Sequence, residues 1–292
     1  MLSPSLAPSL APSFARQYSQ LEAQTSHRLT LLNTFSIPPS SHILEIGCGQ
    51  GDCTAVLAHL LSLDPLHPGH VDAIDPAPLD YGAPVTLGEA QENLKKTDIG
   101  ERIRFARSDP VEWLGGVEKK AYDGIVMCHC LWYFSTEEDV HRTFAAARGK
   151  GERLYIAEWS LETCLKEGEA HVLTATTRAL CESYIPDSDQ NIRLAIAPER
   201  IKEIAVGTGW ELEREEMVTP GRELEDAGWE VGMLLGRDGS GREFLERARE
   251  RIEDEGVVGR LEGMVEEVQR MVEHLGGRGG VRCMDVWVGV FG

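Results

Sequence analysis

An α/β fold built on a mostly parallel seven-stranded sheet, with helices on both faces, is what this sequence predicts. Three observations predict it. His42-Ile43-Leu44-Glu45-Ile46 is an apolar run that passes into Gly47-Cys48-Gly49-Gln50-Gly51, as a strand ending in a glycine turn does. Val71-Asp72-Ala73-Ile74-Asp75 is a second such run that closes on an acid, 24 residues after Gly51, the distance that one helix and a return strand require. Further short apolar runs recur along the chain with helical segments between them, the rhythm of a parallel sheet.

The elements follow in order. Residues 1–13 repeat an uncharged Ser-Leu-Ala-Pro unit and are expected to form a disordered tail, with no signal peptide and with prolines breaking the apolar run. Residues 14–292 are expected to form one domain. Phe14 to Leu32 has helical spacing and reads as a single helix leading to the first strand. After the glycine turn, Thr54 to Leu61 reads as the first sheet-packing helix, its free N–H groups facing the turn. Prolines at 76, 78 and 84 suggest a fixed loop, and Thr86 with Glu89 three residues on matches a capping box for the next helix. Ile103 to Arg107, running into Ser108-Asp109-Pro110, reads as strand three. Tyr122 to Cys128 with His129 reads as strand four, and Leu154 to Glu158 as strand five. Pro198 to Ala205 suits the last sheet-packing helix, Glu211 to Val218 strand six, and Val281 to Phe291 a closing strand. Two inserts, near 161–197 and 221–277, are expected to form a helical lid over the carboxyl edge of the sheet, where ligands bind in such folds. Within the second, Glu243 and Arg247 are spaced to pair along a solvated helix face.

Composition narrows the class of partner. A formal net charge of −19 argues against nucleic acid and against an anionic membrane surface, since phosphate binding needs clustered Lys and Arg. Seven scattered cysteines do not make a disulfide framework, which points to a reducing, cytoplasmic setting. The spacing of Cys128 and Cys130 is wrong for a zinc pair, and no metal site is expected. A small neutral or cationic molecule is the expected partner, with a monomer as the expected state.

The glycine spacing selects the cofactor class. A dinucleotide site uses G-x-G-x-x-G to seat a pyrophosphate, whereas here the order is G-x-G-x-G with Glu45 before it and Asp52 after it. Two carboxylates repel a pyrophosphate and suit an ammonium and a sulfonium. A tight structural corner is the alternative for the turn alone, as an ordinary turn residue is for Asp75.

E-x-G-x-G-x-G after a strand resembles the first motif of the class I S-adenosylmethionine-dependent methyltransferases, whose fold is Rossmann-like, and residues 40 to 160 follow that pattern. The resemblance implies S-adenosyl-L-methionine as cofactor. It implies contacts from Glu45, Gly47, Cys48, Gly49 and Gly51, from Asp75 and Pro76 on the ribose, and from Ser108, Asp109 and Pro110 around the adenine. Cys128 and His129 would lie at the methionine end. Tyr18, His27 and Arg28 are candidates from the leading helix, with core packing as the alternative for Tyr18. Thr86 and Leu87 either line the adenosine pocket or serve only to cap their helix.

Methyl transfer from a sulfonium is an in-line displacement, so the protein chiefly aligns the groups and excludes water. His129 is the candidate catalytic residue, orienting or deprotonating an acceptor; a core-edge histidine bonded to backbone is the alternative. Trp132, Tyr133, Trp159 and Trp229 are candidates for the acceptor pocket, with packing as the alternative for Trp132. The runs Asp80-Tyr81-Gly82-Ala83-Pro84, Cys130-Leu131-Trp132-Tyr133-Phe134 and Met284 to Phe291 resemble fungal small-molecule methyltransferases, including those that methylate thiols of gliotoxin-type dithiol metabolites. Thiol S-methylation in secondary metabolism is the implied reaction. An oxygen or nitrogen acceptor, or a cofactor-binding pericyclase or regulatory protein of the same fold, is the alternative.

Overall fold

The sheet grows outward from β1 (His42–Ile46), whose Ile43, Leu44 and Ile46 are all buried. In the computed structural model, which describes residues 3–292, β1 lies parallel to β2 (His70–Asp75) on one side and β4 (Tyr122–Cys128) on the other. β3 (Ile103–Arg107) and β5 (Gly151–Trp159) extend the parallel set, giving the order β3-β2-β1-β4-β5-β7-β6. β7 (Val286–Phe291) runs antiparallel to both β5 and β6 (Leu212–Val218), so the sheet is mixed. The strand order reverses between β1 and β4, and ligand crevices open at such points, outside the carboxyl ends of the strands.

Side-chain alternation divides the core into two layers. Ile43 and Val126 point into the layer under α2 (Glu22–Phe35) and α3 (Asp52–Leu61). Leu44, Ile125 and Met127 point into the layer under α5 (Pro110–Gly116), α6 (Glu137–Ala147) and α8 (Pro198–Gly207). The edge strand β6 is charged and exposed, carrying Glu213, Arg214, Glu215 and Glu216, a composition that discourages pairing with another chain. Among the described residues no helix is long and apolar enough to cross a membrane.

Four expectations are corrected. Of the stretch expected to be a tail, residues 1–2 lie outside the described residues and residues 7–13 are helical: α1 runs Ala7–Tyr18. Its four-residue repeat stacks Ala7, Ala11 and then Ala15 on one buried face, and Pro8 falls in the first turn, where its missing N–H costs nothing. The helix read as continuous from Phe14 to Leu32 is broken at Ser19, which adopts a left-handed conformation (φ 57°), so α1 and α2 are separate. The last strand begins at Val286 rather than Val281, because Asp285 turns aside to accept the Cys164 N–H. Arg247 does not pair with Glu243; it makes a bidentate bond to Glu182 of α7 (Glu169–Glu182), which ties the two inserts together.

The inserts supply α7 and, after β6, α9 (Asp226–Leu235), α10 (Arg242–Arg251) and α11 (Glu255–His274). α10 and α11 enclose a small apolar cluster of their own with α7, formed by Cys181, Ala248, Ile252, Val257 and Leu261. The capping box of α4 (Leu87–Lys95) is present: Thr86 Oγ1 accepts the Glu89 N–H, and Glu89 accepts the Thr86 N–H.

Candidate active site

Two features meet at the carboxyl edge, at the reversal between β1 and β4. The first is the glycine turn. Gly47, Gly49 and Gly51 all have positive φ (78°, 51° and 96°), a conformation that glycine adopts without a Cβ penalty. They serve different ends. A Cβ at Gly47 would stand 2.5 Å from the Cβ of Cys130, and one at Gly51 2.5 Å from Cδ1 of Leu94, so these two glycines permit close packing. A Cβ at Gly49 would meet nothing within 4 Å. Gly49 borders open space.

Asp75, at the end of β2, holds the turn from the side: one carboxylate oxygen accepts the Gly49 N–H at 2.9 Å and the other the Ala77 N–H at 2.9 Å. Each oxygen keeps a lone pair for a further donor. Gln91 of α4 donates to the Gly49 carbonyl at 2.8 Å, and Gln50 reaches the Val85 carbonyl, so the start of α4, with Thr86 and Leu87, abuts the turn. Gln91 carried no sequence signal. Glu45 does not face the open space: it is buried under the turn and accepts from Thr54 Oγ1 at 2.5 Å, and burial pushes its carboxyl up to about 7. Tyr18 is likewise core, its ring against Phe14 and its hydroxyl donating to Asp98. The leading helices touch the turn through Gln20, whose amide approaches the Gly51 and Asp52 carbonyls at 3.4 Å.

Asp109 caps α5, one oxygen accepting the N–H groups of Val111 (2.8 Å) and Glu112 (3.0 Å), with Pro110 in the first turn. Loss of such a cap costs about 1 kcal/mol. Its other oxygen is free to accept. Ser108 donates its N–H to the Asp75 carbonyl and so keeps the β2 and β3 ends side by side. Cys48 and Cys128 are buried beside the turn, and Pro76 accepts from Arg107.

The second feature is a cavity of about 100 Å³ beyond the end of β4, room for the reacting end of a ligand. Its wall is Arg28 of α2, His129, Trp132 and Tyr133 after β4, Glu158 and Trp159 of β5, His171 of α7, Asn191 and Ile192, and Asp226 and Glu230 of α9. The structure thus gathers His129, Trp132, Tyr133 and Trp159 in one place. It does not bring Trp229 there: this residue is 45% exposed on α9, whose Asp226 and Glu230 meet the cavity instead.

His129 is held in the left-handed region (φ 52°), a conformation uncommon for a residue with a side chain, and its N–H donates to the Ala157 carbonyl at 2.8 Å. Its Nε2 lies 3.0 Å from Nε2 of His27, and its Nδ1 lies 3.5 Å from the Glu158 carboxylate. Trp159 flanks both rings, at 4.4 Å from His129 and stacked on His27 at 5.9 Å. Burial, followed by the nearby Arg28 charge, holds both histidines well below the ordinary imidazole range. Glu158 accepts the N–H groups of Leu131 (2.7 Å) and Trp159 (2.9 Å), yet burial still raises it to about 7. Two neutral imidazoles joined by one hydrogen bond retain one free lone pair, so the pair can take up a proton weakly. The acid partner of His129 escaped the sequence because it lies 29 residues away, on the neighbouring strand.

No family model matches the chain. It is 29% identical over 288 residues to the methyltransferase phomM' of Diaporthe leptostromiformis, a match spanning 86% of this chain and 73% of that protein. Among solved structures it is similar to a cyclopropane-fatty-acyl-phospholipid synthase-like protein from Lactobacillus casei, with 26% identity, a TM-score of 0.80 and 99% of each chain covered. A SAM-dependent methyltransferase from Methanosarcina mazei shares the fold at 12% identity, with a TM-score of 0.52 over 89% of this chain and 95% of that one.

Proposed function

We propose that this chain, which has the fold of the class I S-adenosylmethionine-dependent methyltransferases, transfers a methyl group to a small acceptor held in the cavity beside His129. The observation that carries the reading is the junction of two empty spaces: the glycine turn leaves room only at Gly49, and the aromatic cavity begins where the adjacent strand ends, at His129.

The residues suit the cofactor. Asp75 has lone pairs to accept two ribose hydroxyls, the free oxygen of Asp109 can accept an adenine amino group, and Nη1 of Arg28, buried without a protein partner, can bind a carboxylate. Bound there, the cofactor supplies an electrophilic methyl group on a cationic sulfur. The chain orients the acceptor with the His129, Trp132 and Trp159 rings, excludes water with α7 and α9, and accepts the acceptor's proton at the His27–His129 pair.

That pair is a weak base, which favours an acceptor that gives up its proton readily. A thiol, with a reference pKa near 8.5, meets this condition better than an alcohol. S-methylation of a small thiol, such as a dithiol metabolite, is therefore the reaction we assign to the site. The test is incubation with methyl-labelled S-adenosylmethionine and a panel of small thiols, dithiols, phenols and amines, with products identified by mass. The expected result is label on a thiol and an equal amount of S-adenosylhomocysteine. Cofactor binding without transfer to any acceptor would contradict catalysis, and transfer only to phenols or amines would contradict the thiol assignment.

A further inference from the structure

Besides Arg28 Nη1 and His129 Nδ1, two ring N–H groups on the cavity wall have no protein partner although both rings are buried. Trp132 is 4% exposed and its Nε1, which can only donate, meets no acceptor. His171 is fully buried, and its Nδ1 accepts the Met284 N–H at 3.1 Å. The proton of this ring therefore sits on Nε2, which also meets no acceptor. Burial pushes His171 down to about 3, so the ring is neutral at any ordinary pH. The two rings come from separate elements, the turn after β4 and α7, and stand 6.2 Å apart at 65°.

Buried donors are paired in functional complexes, so a guest oxygen is the partner these two await. Its charge follows from the rest of the wall. Glu158, Asp226 and Glu230 line the same cavity against one cation, Arg28, which the cofactor's carboxylate would engage, so a further anion would face three carboxylates. Glu158 is engaged by backbone N–H groups and Glu230 by Arg178, and Oδ2 of Asp226, though itself unpaired, meets neither donor. A carbonyl oxygen offers two lone pairs, brings no proton of its own and carries no formal charge.

We propose that Trp132 and His171 form a subsite for a neutral carbonyl oxygen, such as that of an amide, carried by the acceptor beside the atom to be methylated. The subsite rests on the methyltransferase reading and narrows its acceptor class. It also gives His171 a specificity-determining role.

The test uses the full chain with S-adenosylhomocysteine and observes indole N–H resonances during titration with benzamide, toluene and benzoate. Trp132→Phe assigns the relevant resonance and removes the donor together with part of the indole ring. That N–H has no protein partner to lose, but the smaller ring leaves a buried gap, so the melting temperature of the variant should fall by a few degrees while it stays folded. Benzamide should shift the Trp132 N–H saturably and toluene should not, and Trp132→Phe should weaken benzamide about 3- to 10-fold more than it weakens toluene. Equal changes in benzamide and toluene affinity in the variant, an equal shift with toluene, no shift with benzamide up to its solubility, or tighter binding of benzoate would each overturn the proposal. Failure of S-adenosylhomocysteine itself to bind would instead overturn the reading on which it rests.

Discussion

Gly49→Asn is expected to eliminate S-adenosylhomocysteine binding while the protein stays folded. Asn is among the few residues that tolerate a left-handed backbone, so φ of 51° costs it little, and its side chain would enter space that nothing in the chain fills. Affinity should fall by about 100-fold or more, equivalent to about 2.7 kcal/mol. The melting temperature should move by only a few degrees. Gly47 and Gly51 cannot provide this contrast, because a Cβ at either would strike Cys130 or Leu94 and disturb the fold itself. Equilibrium dialysis with labelled S-adenosylhomocysteine, alongside a thermal melt, reads both quantities. A folded variant with parental affinity would mean that the cofactor does not pass over Gly49.

His129→Asn should lower turnover most at low pH. The substitution again suits the left-handed backbone, and it removes the imidazole from the His27–His129–Glu158 chain. Because burial keeps the native imidazole pKa well below its ordinary value, the wild-type base is already neutral across the working range and its contribution is present at every pH tested. In the variant only an acceptor that has ionised on its own reacts well. Positioned bases contribute about 10²–10⁴-fold, so a loss of about 100-fold near pH 6.5 is expected, shrinking to about 10-fold or less toward pH 9 as the thiolate forms. Turnover against pH for both proteins checks this. A parallel loss at all pH values would assign His129 to positioning, and no loss would remove it from the chemistry.

The parallel sheet was legible because central strands buried on both faces must read as mostly apolar runs, as His42–Ile46 and Tyr122–Cys128 do. The cap at Thr86 and Glu89 was legible because its logic is local. The N-terminal helix was not: proline and serine content argued for disorder, while the decisive fact, that the repeat aligns Ala7, Ala11 and Ala15 against a core, depends on tertiary packing. The cavity was half legible. His129 and Trp132 follow a strand end and could be placed from it. His171, Glu158, Asp226 and Glu230 reach the same cavity from three other elements, and nothing in their local sequence foretells that meeting. Arg247 gives the same lesson, since a local i,i+4 partner was available at Glu243 and the buried Glu182 of another helix took it instead.

Calorimetric titration of the full chain with S-adenosylhomocysteine and, separately, with NADH decides which cofactor the glycine turn holds, because the glycine spacing and the acidic residues around it divide these two cofactor classes. Saturable binding of S-adenosylhomocysteine at one site per chain and no heat from NADH are expected. Binding of NADH, or no binding of S-adenosylhomocysteine by the folded protein, would contradict the cofactor assignment.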